Sequence, residues 1–161
     1  MKSVLIIGMG RLGHHLCKNL AEMGNEVMIV DRDEESMQDI LSVAMMAKVG
    51  DCTKEDVLRS LGVGNFDICF VCISSDFQSS LEITSLLKEL GAAYVVSKAN
   101  RDIQAKFLLR NGADEVIYPE RDVAERAAIK YGSNKVFDYI EMAEGYSILE
   151  IPPMHGWIGK S

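Results

Sequence analysis

The chain has 161 residues, 48% of them hydrophobic and 25% charged, with a net charge of −7, which suits one domain with a real core. The acidic balance disfavours nucleic acid as the main partner, because phosphate backbones demand basic stripes, and it disfavours direct adhesion to anionic lipid. No apolar run approaches the roughly 20 residues of a membrane span, and the first strand lacks the flanks and cleavage site of a signal peptide. Cytoplasmic residence is the default expectation, with any membrane association running through a protein partner.

In chain order, Val4-Leu5-Ile6-Ile7 reads as a buried strand, followed by the turn Gly8-Met9-Gly10-Arg11-Leu12-Gly13. Leu12, Leu16, Leu20 and Met23 then repeat at helical spacing, with Gly24-Asn25 as a stop. Val27-Met28-Ile29-Val30-Asp31 is a second strand ending in an acid, 18 residues beyond Gly13. Strand, Gly-x-Gly-x-x-Gly, helix, strand and acid together are how a doubly wound sheet holds an adenine nucleotide. Gly8 allows the tight turn, Gly10 lets phosphate approach, and Gly13 lets helix pack on strand. Amides at the helix start face the phosphates, aided by the positive end of the helix dipole. Asp31 is placed to accept hydrogen bonds from ribose hydroxyls.

Further strands are expected at about 45–49, 67–73, 93–98 and 115–118, and helices at about 33–42, 53–61, 76–90, 102–111 and 121–131. Thr53-Lys54-Glu55-Asp56 supplies a hydroxyl cap and early carboxylates; Gly62, Gly91 and Gly112 end helices. This alternation predicts an α/β, Rossmann-like fold. Its sheet is parallel and six-stranded, with helices on both faces and strand order 3-2-1-4-5-6. Strands apolar on both sides, such as Ile68-Cys69-Phe70-Val71-Cys72-Ile73, agree with that burial. Cys69 and Cys72 spell Cys-x-x-Cys, but residues three apart on a strand face opposite ways, so core cysteines are expected rather than a redox or zinc pair.

The nucleotide-binding domain is expected over residues 1–131. From 132 to 161 the pattern changes: a helix from Ser133, a strand over Tyr146–Ile151, Pro152-Pro153 and a mixed ending. This material reads as packing on a second subunit or a missing domain.

Ligands of open α/β sheets sit beyond the carboxyl ends of the strands at the switch point. That rule names the glycine turn, Asp31 with Arg32, Gly50-Asp51-Cys52-Thr53, and Ile73-Ser74-Ser75-Asp76. The Asp51 carboxylate suits an adenine amino group. Asp31 repels a 2′-phosphate, whereas Arg32 either pairs with one or is a solvated surface charge. Arg11, inside the turn, either reaches a terminal phosphate of ADP or ATP, binds a neighbouring subunit's ligand, or points to solvent. His14 and His15 are expected to face solvent. No acid–base pair beside a substrate cleft and no Gly-x-Ser-x-Gly is visible, so no enzyme activity is expected of this chain.

These residues resemble a family. Gly8–Gly13, Val30-Asp31, Gly50-Asp51-Cys52-Thr53, Val95-Val96-Ser97-Lys98-Ala99-Asn100 and, most specifically, Gly112-Ala113-Asp114-Glu115-Val116-Ile117-Tyr118-Pro119-Glu120 are similar to RCK, or KTN, domains. These are the TrkA N-terminal domains that regulate bacterial potassium channels and uptake transporters, and the likeness is strongest to the transporter-associated KtrA-like and TrkA-like branch. The resemblance implies a regulatory subunit with ADP, ATP or NAD(H) as ligand. It implies homodimers assembling into a ring beneath an integral-membrane partner at the inner face of the cell membrane. It also implies a crossover helix, short strand and linker after residue 131, leading to a C-terminal lobe. By position, the glycine turn and Arg11 hold phosphates, Asp31 holds ribose, and Asp51 with Cys52 lies by adenine. Ser74 and Lys98 line the phosphate side, and Glu120 lies near a dimer contact where some members bind a divalent cation. Lys98 and Asn100 stand where calcium-gated members carry acids, which disfavours calcium gating. The rival reading is an NAD(P)-dependent oxidoreductase lacking its substrate domain.

Overall fold

The computed structural model describes residues 1–73 and 76–132; Ser74, Ser75 and the expected tail elements lie outside the described residues. Two compact units divide at Pro119 and Glu120.

The first unit alternates strand and helix: β1 (Ser3–Ile7), α1 (Arg11–Glu22), β2 (Glu26–Asp31), a 3-10 helix (Glu34–Ile40), β3 (Met46–Val49), α2 (Glu55–Leu61), a short 3-10 helix (Val63–Asn65), β4 (Ile68–Val71), α3 (Phe77–Glu89), β5 (Val95–Lys98), α4 (Asp102–Arg110) and β6 (Glu115–Ile117). The strands form one six-stranded sheet in the order β3-β2-β1-β4-β5-β6, every pair parallel. Fold class and strand order are therefore as the alternation of elements predicted.

The central strands are buried on both faces, and their period of two sorts the side chains. Leu5, Ile7, Val30, Cys69 and Val71 enter one core layer with Leu58 of α2 and Ile83 and Leu87 of α3. Val4, Ile6, Val27, Ile29 and Cys72 enter the other with Cys17 of α1 and Met37 and Ile40 of the 3-10 helix. A third cluster joins Ala105 and Leu108 of α4 to Phe77 and Leu81 of α3 and Val116 of β6. Each fully buried Leu or Ile contributes about 1.5–3 kcal/mol of transfer free energy, so this double-sided core fixes the sheet, and the sheet fixes the loops at its carboxyl end.

Cys69 and Cys72 fall in opposite layers. Burial pushes the thiols of both up to about 12, so they pack as small apolar groups with their protons on.

Two local expectations are corrected. The segment predicted as an α-helix over 33–42 is a 3-10 helix over Glu34–Ile40. Its buried residues, Met37 and Ile40, are three apart, matching three residues per turn. Asp33 tightens the turn, accepting from Glu35 N at 3.0 Å and, through its carbonyl, from Ser36 Oγ at 2.7 Å. Thr53 does not cap α2. Lys54 holds the cap position without a side-chain bond, because Thr53 turns back to Asp51.

The last described helix, α5 (Pro119–Gly132), lies in the second unit from Glu120 onward and carries Glu120 and Asp122 in its first turn and Lys130 in its last, complementing the helix dipole. Among the described residues no helix is long and apolar enough to cross a membrane.

Candidate functional site: a glycine turn and an acidic cleft

The carboxyl ends of β1, β2, β3 and β4 converge, and the glycine turn is sewn into them. Gly8 N–H donates to the Val30 carbonyl at 2.9 Å, and Cys72 N–H donates to the Ile7 carbonyl at 2.8 Å. Gly8 has φ +96°, and a Cβ there would meet the Cys72 carbonyl group at 3.0 Å. At Gly13 a Cβ would lie 2.3 Å from the Gly8 carbonyl oxygen. Only glycine fits either position: Gly8 for its conformation, Gly13 because α1 rests on the turn itself.

Asp31 braces this turn. Its Oδ2 accepts from Met9 N at 2.7 Å and its Oδ1 from Asp33 N at 2.8 Å. The Met9 amide thus belongs to Asp31 rather than facing outward, and the Met9 side chain is buried in the core beside α1. Gly10, extended at φ −78° and ψ −158°, caps α1 without a side chain of its own. Arg11, Leu12 and Gly13 fill the first helical turn, whose N–H groups have no i−4 partners by helix geometry. Arg11 is exposed at this end, while Leu12 packs into the core.

Next to the turn lies a small cleft, open to solvent. Its walls include Ile7, Arg32, Asp51, Cys52, Thr53 and Ile73. Asp51 Oδ1 accepts from both Thr53 N, at 3.0 Å, and Thr53 Oγ1, at 2.7 Å. Those two bonds, assisted by the Arg32 and Lys54 charges and opposed only by slight burial, hold the Asp51 carboxyl below the usual range. Cys52 is buried at 3% exposure; burial, with the Asp51 and Asp31 charges, pushes its thiol up to about 12. It is a neutral, apolar piece of wall.

Gly50, Asp76, Ser79 and Ile83 complete the lining. Asp76 caps α3, accepting from Gln78 N, Ser79 N and Ser79 Oγ, and the Ser79 bonds lower its carboxyl. Ser79 and Ile83 went unread in the sequence. Their signal is helical: Asp76, Ser79 and Ile83 follow an i, i+3, i+7 pattern that turns one face of α3 to the cleft. Lys98 ends β5, partly exposed. Ser74 and Ser75 are outside the described residues, and exposed Glu120 belongs to the other unit. Among the described residues no group of three or more His, Cys, Asp or Glu is placed to hold a metal ion.

His15 is exposed as expected, whereas His14 is only a quarter exposed and its ring is partnered rather than free. Its Nδ1 lies 2.9 Å from the Gly10 carbonyl and its Nε2 lies 3.0 Å from Asp39 Oδ1. Spacing along α1 gave no hint, because Asp39 arrives from a segment 25 residues away.

A family model describing the TrkA-N domain matches residues 4–119. The chain belongs to the TrkA-N domain family. It is 43% identical to Ktr system potassium uptake protein C of Bacillus subtilis over 150 residues, 93% of this chain and 68% of that protein. Among solved structures, the fold is similar to the TrkA-N domain of the inner membrane protein ybaL from Escherichia coli. That match has a TM-score of 0.72 at 16% identity, covering 81% of this chain and 96% of that one. It is also similar to GsuK bound to ADP, with a TM-score of 0.68 at 16% identity over 80% of this chain and 34% of that one. At such identities the two structures speak for the fold.

Proposed function

We propose that this TrkA-N chain is a nucleotide-binding regulatory subunit of a bacterial potassium uptake system, sensing ADP, ATP or NAD(H). The observation that carries the reading is the braced glycine turn, Gly8 to Gly13 held by Asp31, in a chain 43% identical to a potassium uptake protein. A pyrophosphate at the start of α1 meets first-turn amides and the positive end of the helix dipole. Arg11 reaches the terminal phosphate, Ser74 and Lys98 line the phosphate side, and Asp31 accepts from the ribose hydroxyls with its remaining lone pairs. The base lies in the cleft, with Asp51 toward its amino group and Cys52, Ile73 and Ile83 along its faces. The Arg32 charge already acts on the Asp51 and Asp76 carboxyls, which favours an unphosphorylated ribose over NADP.

In this reading the chain is not an enzyme: it works by differential binding, with nucleotides that differ in one phosphate favouring different geometries of a homodimer within a ring. A membrane potassium-transport partner at the inner face of the cell membrane reads that change. A few kcal/mol of differential affinity suffices, within reach of one arginine–phosphate contact. A divalent cation at the dimer contact would use Glu120, and one carboxylate per chain requires further oxygens from a second copy.

Titration calorimetry with ADP and ATP tests the reading. Arg11→Ala is expected to keep the fold and narrow the ATP-to-ADP affinity ratio about tenfold. Equal losses for AMP, ADP and ATP refute the terminal-phosphate role. No heat and no thermal stabilisation with any of these nucleotides or NADH refutes the site.

A further inference from the structure

The Gly10 carbonyl and the Asp39 carboxylate share one property: at neutral pH both only accept hydrogen bonds. The His14 ring touches both, through Nδ1 at 2.9 Å and Nε2 at 3.0 Å. A neutral imidazole has one N–H, so it satisfies one contact and turns a lone pair toward the other oxygen. Both contacts are attractive together only when the ring carries two protons and a positive charge.

The two ends of this tie matter. Gly10 is the middle glycine of the turn and the cap of α1. Asp39 lies on the 3-10 helix that follows Asp31, the residue whose carboxylate braces the same turn at Met9 and Asp33. A doubly protonated ring therefore closes a loop from Gly10 through His14 and Asp39 back to Asp31. It also sets a positive charge within the first turn of α1.

We propose that His14 is a proton-linked positioning residue of the nucleotide site: its charged ring ties the glycine turn to the segment behind Asp31, and losing a proton breaks one tie and weakens the hold on nucleotide phosphates. The inference rests on the nucleotide-binding reading above.

Other charged groups on and between the packed elements include Arg11, His15 and Lys18 on α1, Asp31 on β2, Arg32 and Asp33 in the turn after it, and Glu34 and Glu35 on the 3-10 helix; β1 carries none. The cations oppose protonation and the acids favour it, but Asp39 is the acid in contact. Partial burial works against the charged ring, and the bonds to Gly10 and Asp39 outweigh it, so the His14 pKa lies above the ordinary 6.5. The sign follows: the tie is complete below about 6.5 and is lost as pH rises through the higher folded value.

The test uses the full chain. Imidazole resonances followed against pH by NMR, assigned with His14→Gln, are expected to show His14 titrating above 6.5, and Asp39→Asn is expected to lower that midpoint. ADP calorimetry between pH 6 and 8 is then run on the natural protein and on His14→Gln, so the nucleotide's own titration cancels in the difference. The natural protein is expected to lose about two- to fivefold more affinity than the variant as pH rises, the size of one charge at a helix end. Asp39 is 78% exposed, so Asp39→Asn leaves the core untouched and provides a second route; its affinity–pH curve is expected to shift toward lower pH. Parallel losses in all three proteins, or a His14 midpoint at or below 6.5, overturn the inference and leave the nucleotide site standing. Absence of ADP binding by every protein at every pH overturns the site and the inference with it.

Discussion

Asp67 and Asp31 stand at opposite ends of one sheet, and each gives a carboxylate oxygen to a backbone amide. At the amino end, Asp67 Oδ2 accepts from Ser3 N at 2.8 Å, joining the start of β4 to the start of β1. Asp114 repeats the device at the β5–β6 pair, accepting from Val95 N at 2.7 Å and from Lys88 Nζ at 2.6 Å. At the carboxyl end, Asp31 holds Met9 N with the same geometry, but what it fixes is a glycine loop with an open helix start. One end uses its acids to lock strand register, the other to shape an empty space. The difference teaches that a bound carboxylate signals function by what its partner amide belongs to.

That contrast is open to direct attack, and the sharpest blow falls on Gly13. A methyl group 2.3 Å from the Gly8 carbonyl must push α1 off the turn. Gly13→Ala is expected to cost about 2–3 kcal/mol of stability in denaturant melts and to abolish nucleotide binding in calorimetry. Retained binding would mean that the turn tolerates a displaced helix.

Removing the braces comes next. Asp31→Ala strips two charge-assisted bonds and is expected to weaken ADP binding more than tenfold, from about 1.5–3 kcal/mol of lost support. Asp67→Ala is expected to cost about 1–2 kcal/mol of stability with ADP affinity unchanged. Equal effects of both variants on affinity would erase the distinction between the two ends.

The smallest effect is expected in acid. Burial opposes ionisation of Asp114, but the Lys88 and Val95 bonds outweigh it and lower its carboxyl. Its stabilisation is complete above the unfolded value near 4 and drains as pH falls through the lower folded value. Both side chains of the pair are 30% exposed, so screening keeps the contribution under about 1 kcal/mol. Asp114→Asn is expected to flatten that part of the acid-unfolding curve and leave ADP binding alone.

Much of the site was legible beforehand because its grammar is local. Gly8 is required by a positive φ and Gly13 by a close approach that recurs wherever a helix follows a strand through so short a turn. Gly50-Asp51-Cys52-Thr53 was found by reading what stands at a strand's end. The Thr53 hydroxyl departs from its expected cap because a Thr shortly before two acids satisfies the capping pattern equally well; Asp51, two residues earlier, competes for the same hydroxyl and wins at 2.7 Å. The 3-10 helix departs from the expected α-helix for a related reason, since an Asp33 carbonyl within reach of Ser36 tightens a segment too short for periodicity to arbitrate.

By itself, the sequence determined the order of elements, the parallel sheet and the glycine turn, because each follows from periodicity or backbone sterics within a few residues. Only the tertiary structure decided which acid meets which partner. Asp31 meets Met9 across 22 residues, His14 meets Asp39 across 25, and Ser3 meets Asp67 across 64. A hydrogen bond depends on positions in space to within a fraction of an ångström, and those positions exist only once the double-sided core has set the strands side by side.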